Sequence, residues 1–139
     1  MIIIGEKING AIPSIKQAIA ERNEALIIER TLAQAAAGAN FLDCAPSTAT
    51  EIEYETMVWL IGLMQGATNV PLCIDSPNAK LLARVIEEGH LNKPGMVNSV
   101  NEEGDKCETI FPLIAGTPWE VVGLTDRKST RLNSSHCRL

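Results

Sequence analysis

The sequence predicts an α/β fold, an incomplete TIM (β/α)8 barrel built from about five strand–helix units. Three observations predict it. Short apolar runs alternate with longer helical stretches about five times, a pattern of parallel strands joined by crossover helices. Polar and acidic residues fall where these strands end: Glu6 and Asn9, then Asp43, Asp75, Asn98 and Ser99. In a β/α barrel all such ends meet at one mouth, whereas an open sheet gathers them only at a switch point. Finally, no GxGxxG turn follows the first strand, which argues against a dinucleotide-binding open sheet. A closed barrel needs eight strands, so the expectation is a barrel cut short.

Each element has its own reason. Ile2, Ile3 and Ile4 form a β-branched run that reads as a buried strand. Asn9, Gly10 and Pro13 mark a loop. Residues 14–37 read as one helix with Ile28, Leu32 and Ala35 on its apolar face and Gly38 as its stop. Phe41 to Asp43 is the second strand, and Ile52 to Met64 a helix that buries Met57, Leu60 and Met64. Pro71 to Asp75 is the third strand. Ser76 as N-cap and Pro77 at the first position then open a helix over 79–88. Gly95 to Ser99, a helix over 102–115 that Pro112 shortens or kinks, and Glu120 to Leu124 complete the pattern.

Composition narrows the function. The chain has 139 residues, 45% of them hydrophobic, and a net charge of −5. That charge argues against nucleic-acid binding, which calls for a basic patch. No apolar run is long enough to span a bilayer, and the N-terminus has no basic region ahead of an apolar stretch. The four cysteines, Cys44, Cys73, Cys107 and Cys137, are scattered without a CxxC pair. They read as reduced thiols of a cytoplasmic protein with no metal site. Asp126 to Leu139 is polar and basic, with no apolar period. Its opening, Asp-Arg-Lys-Ser-Thr-Arg-Leu-Asn-Ser-Ser-His, is what a translated sequencing adapter encodes. Residues 126–139 are therefore expected to be a non-native tail, and residues 1–125 the N-terminal part of the barrel.

Among the candidate site residues, Asp75 ends an apolar strand. A carboxylate there can accept two hydrogen bonds from an aminopyrimidine edge. It could instead cap the next helix, but Ser76 is available for that. Asn98 both donates and accepts, which suits a heterocycle with a mixed edge, although turn asparagines often bond their own backbone. Asp43 could touch a ligand or support Asn98. Glu6 and Asn9 lie after the first strand, where Lys7 could pair with Glu6 in solvent. Ser99 is the weakest of the set. His90 lies in a helix-to-strand connection and reads as structural. Glu51, Glu53 and Glu55 read as first-turn carboxylates that favour the helix dipole.

Taken together, IIGEKING, GANFLDCAPS, PLCIDSPNA, MVNSVNEE and IFPLIAGTPWEVVGLT resemble the methyltetrahydrofolate–corrinoid protein methyltransferases over Met1 to Thr125. The resemblance implies the TIM barrel of a pterin-binding domain, commonly paired as a homodimer. It implies methyl transfer from N5-methyl-tetrahydrofolate to the Co(I) corrinoid carried by a partner protein. Asp75 and Asn98 would hold the pterin, with Asp43 and the Glu6–Asn9 turn supporting the pocket. The family's later Asp and Asn, the second linked to protonation of N5, would lie beyond Thr125, so the catalytic residues are expected outside this chain. A dihydropteroate synthase-like enzyme on the same barrel, or a non-catalytic fragment, are the alternatives.

Overall fold

A computed structural model describes residues 1–101 and 106–124, with side chains for 1–98 and 108–121. The expected tail, residues 126–139, lies outside the described residues. Five strands alternate with helices: β1 (Ile4–Gly5), α1 (Pro13–Glu21), α2 (Glu24–Ala36), β2 (Phe41–Cys44), α3 (Thr50–Ala67), β3 (Leu72–Asp75), α4 (Ala79–Glu87), β4 (Met96–Asn101), α5 (Lys106–Ile114) and β5 (Glu120–Leu124). The strands form one parallel sheet in the order β1-β2-β3-β4-β5. Every strand is the neighbour of the one before it. Among the described residues the sheet therefore has no switch point, the place where an open doubly wound sheet reverses its order and binds its ligand.

Register divides the sheet's residues between two faces. Leu42 pairs with Leu72, Cys44 with Ile74, and Ile74 with Val97. These residues alternate with Asp43, Cys73, Asp75, Met96 and Asn98, so the two sets point to opposite sides. The first set is buried and packs with Ile15, Ile27, Met57, Leu60, Met64, Leu82 and Ile110 of the helices in one cluster. Burying a side chain of this size stabilises by about 1.5–3 kcal/mol. The second set is left on the side away from that cluster.

The helix expected over residues 14–37 is two helices. The chain turns at Arg22, whose left-handed φ of 54° ends α1, while the Asn23 N–H bonds the Ala18 carbonyl at 2.8 Å. Asn23 then caps α2, its Oδ1 accepting from the Leu26 N–H at 3.2 Å. A left-handed turn at a residue with a Cβ costs about 1–2 kcal/mol. Part of that is offset by the Arg22 guanidinium, which stacks 4.7 Å from the centre of the Trp59 ring. The expected face of α2 is also corrected. Ile27, Thr31 and Gln34 are buried, while Leu32 stands 48% exposed. Two polar residues can occupy the buried face because both are satisfied. Thr31 Oγ1 donates to the Ile27 carbonyl, and the Gln34 amide bonds both the Lys7 N–H and the Arg30 carbonyl.

Three smaller corrections follow. Asn78, not Ser76, caps α4, with its Oδ1 accepting from the Lys80 and Leu81 N–H groups at 3.1 and 3.2 Å. Ile2 and Ile3 are exposed rather than buried, because β1 is paired only with β2 among the described residues. β4 runs two residues past its expected end and shifts register against β5 between Asn98 and Val100.

The loops after β1 and β2 lock together. Asn9 bridges Ala45, the Gly10 N–H bonds the Ala45 carbonyl at 2.8 Å, and the Ala45 N–H bonds the Ile8 carbonyl at 3.1 Å. Gly10 is required there, since a Cβ would lie 1.9 Å from the Pro46 carbonyl oxygen. Gly10→Ala is expected to cost about 1–3 kcal/mol, the usual penalty for overpacking. Gly62→Ala, on an exposed helical position with nothing within 4 Å, should be neutral or stabilising. Thermal unfolding of the two variants measures the contrast, and equal melting temperatures would show that the two loops can move apart.

Candidate functional site

The site is built by three neighbouring strands. Asp43 is paired with Cys73, Cys73 with Met96, and Asp75 with Asn98. Because side chains alternate along a strand, Asp43, Cys73, Asp75 and Asn98 share the face turned away from the helices. Asp43 and Asp75 are close enough for their side chains to hydrogen-bond, and the Cys73 thiol donates to Asp43. Asp43 is buried, while Asp75 and Asn98 are half-buried, so the exposed edge of the group consists of one carboxylate and one amide.

Burial is the main force on Asp43. It raises the carboxyl to about 7, with the charges of Asp75 and then Glu6 pushing the same way. Two carboxyls in contact favour holding one proton between them. Below about pH 7 Asp43 is therefore mostly protonated and can donate a hydrogen bond to Asp75. Asp43 Oδ1 is buried with no hydrogen-bond partner among the described residues. Leaving such an atom unpaired costs about 1–3 kcal/mol, and a ligand donor would relieve that cost. The Cys44 and Cys73 thiols are both pushed up by burial and so are poor nucleophiles.

The other expected site residues divide. Glu6 is exposed and acts on Asp43 through its charge. Lys7 makes no ion pair with it among the described residues; its N–H bonds Gln34 instead. Asn9 is half-buried, and its Oδ1 accepts from the Ala11 N–H at 2.8 Å and the Ser47 hydroxyl at 3.0 Å, so this side chain braces the two loops. Ser99 lies in β4, but its side chain is outside the described residues. His90 is held between Tyr54, whose hydroxyl is 2.9 Å from Nε2, and Gln65, whose amide donates to the His90 carbonyl at 3.0 Å. That is the structural role expected of it.

Two residues close to the site were not expected there. The Ser76 hydroxyl, next to Asp75, donates to Glu53 Oε2 at 2.7 Å, and both residues are buried. Glu53 does more than favour the helix dipole from the first turn of α3, since its side chain is buried. Its spacing of four, seven and eleven residues from Met57, Leu60 and Met64 places it on their buried face, a signal present in the sequence.

No family model matches the chain. Over 127 residues, 90% of its length, it is 49% identical to a methylcorrinoid:tetrahydrofolate methyltransferase of Eubacterium limosum. The chain is homologous to part of that methyltransferase. It spans 46% of the relative's length, about half. A match covering 90% of the chain includes Asp43, Asp75 and Asn98 wherever it starts. The methyltransferase relative thus shares the stretch that forms the three central strands.

A carboxyl held above its ordinary range keeps its proton in the folded protein after the unfolded chain has lost it. Its contribution to stability is full below about pH 4 and is lost as the pH rises through about 7. Denaturant unfolding across that window should show the decline, and Asp43→Asn should flatten it. A carboxyl resonance that titrates in the ordinary range would instead place Asp43 in solvent.

Proposed function

We propose that this chain is the folate-binding part of an enzyme that moves a methyl group between tetrahydrofolate and the corrinoid of a partner protein. The observation that carries the reading is the side-by-side placement of Asp75 and Asn98, backed by the protonated acid Asp43. A pterin presents an amino group and a ring N–H on one edge, and Asp75 can accept from both. Asn98 meets the mixed donor and acceptor positions beside them. Asp43, by donating to Asp75 when protonated, fixes the orientation of that carboxylate from behind. The name of the homologous methyltransferase supplies the two substrates.

In this reading the sequential parallel sheet is the first part of a TIM barrel, with the polar face turned inward. The remaining strands would bring the Asp and Asn expected beyond Thr125, and the full protein would be a cytoplasmic homodimer. Free, buried Cys44 and Cys73 fit a reducing compartment, and among the described residues no helix is long and apolar enough to cross a membrane. The corrinoid supplies a cobalt nucleophile or methyl carrier when the partner docks. This chain's residues hold the folate ring so that N5 and its methyl group face the mouth, which is a positioning task. Methyl leaving N5 requires a proton to arrive there, and methyl joining N5 requires one to depart.

Asp75→Ala in the full-length protein should weaken tetrahydrofolate binding about 100-fold or more, from the loss of two hydrogen bonds to a charged acceptor. Calorimetry decides it: an unchanged Kd takes Asp75 out of the site. Turnover with methyltetrahydrofolate and Co(I) cobalamin is expected only from a chain that carries the remaining strand–helix units.

A further inference from the structure

The turn after β3 is held from two sides by one side chain. Ser76 follows Asp75 directly. Its backbone N–H donates to the Asn98 carbonyl at 3.3 Å, which ties β3 to β4 at the two proposed pterin ligands. Its hydroxyl accepts from the Asn78 N–H at 3.0 Å, which shapes the entry to α4. That same hydroxyl can donate only once, and its proton goes to Glu53 Oε2 at 2.7 Å. Glu53 stands in the first turns of α3 and is 5% exposed, while Ser76 is 2% exposed. A carboxylate is rarely buried this far unless something inside requires it.

We propose that Glu53 is a positioning residue for the folate site, acting through Ser76 to fix the spacing of Asp75 and Asn98. This rests on the pterin-site reading above. Glu53 orients the Ser76 hydroxyl so that its lone pairs face Asn78, and the buried turn then has a single arrangement. Without the acceptor, the hydroxyl must seek another partner, and Asp75, bonded to Ser76 through the chain, shifts with it. Displacements of this kind matter because a carboxylate recognises a flat heterocycle only when both oxygens meet their donors.

The test uses Glu53→Leu, Glu53→Gln, Ser76→Ala and the double variant Glu53→Leu/Ser76→Ala in the full-length protein, with tetrahydrofolate as the probe. Glu53→Leu and Ser76→Ala should each weaken binding about tenfold, the effect of one hydrogen bond to a charged group. The double variant should lose no more than either single change, because both break the same link. Glu53→Gln keeps an acceptor oxygen and should restore affinity to within about threefold of the parent. In residues 1–139 as a chain, amide exchange at Ser76 and Asn78 should quicken in Glu53→Leu and not in Glu53→Gln. Fully additive losses, or equal affinity in the Leu and Gln variants, would overturn the proposal. Asp75→Ala separates the two readings. If it weakens folate binding while Glu53→Leu does not, only the positioning role fails; if it leaves binding unchanged, the folate site itself fails.

Discussion

The parallel register of β2, β3 and β4 is the constraint on which the rest of the molecule depends. A strand has a side-chain period of two, so a slip of one residue would exchange its faces. In β3 such a slip would put Asp75 among the helices and Ile74 on the polar face. The register is fixed by what lies behind the sheet: Leu42, Cys44, Leu72, Ile74 and Val97 are all buried against α1–α5. The apolar core thus does more than stabilise the fold. It decides that Asp43, Asp75 and Asn98 emerge together on the opposite face.

That shared face explains the electrostatics of the site. Two carboxyls on adjacent strands, one of them buried, cannot both remain charged at low cost. Burial beside Asp75 raises the Asp43 carboxyl to about 7, so through the acidic range the pair keeps a proton, with Asp75 the more accessible of the two. A site with one charged acceptor and one amide suits a neutral heterocycle with several N–H groups. A site with two full charges would instead favour a cation.

Much of this was legible in the residues. The strand ends at Asp43, Asp75 and Asn98 could be read because each closes an apolar β-run, and those are the positions the sheet brings together. What escaped the sequence was local chemistry that competes with periodicity. Arg22 and Asn23 split a helix whose apolar pattern runs on without a break, because a left-handed turn at arginine leaves no compositional mark. The buried face of α2 lies one residue away from the apolar one because Thr31 and Gln34 are satisfied internally. Ser76 and Asn78 are both good caps by type, and only the hydrogen-bond partners separate them. Glu53 was readable by its spacing and was obscured by two glutamates beside it that do face solvent.

The direction of the proposed methyl transfer follows a different logic from its location. The sequence resemblance implies folate as donor, whereas the homologous methyltransferase is named for transfer from methylcorrinoid to tetrahydrofolate. One pocket would serve both, since the forward and reverse reactions pass through the same transition state. The residues of the proposed site would meet the ring edge, and that edge is the same in tetrahydrofolate and its N5-methyl form. Placed there, they would bind donor and product alike, and equal binding of both ends of a reaction cannot set its direction. Direction must come from the relative stability of the methyl group on nitrogen and on cobalt, together with the proton exchanged at N5. In the proposed site Asp43, Asp75 and Asn98 would select the ligand, and the equilibrium between methyl on nitrogen and methyl on cobalt, rather than any residue of the pocket, would set which way the methyl group moves.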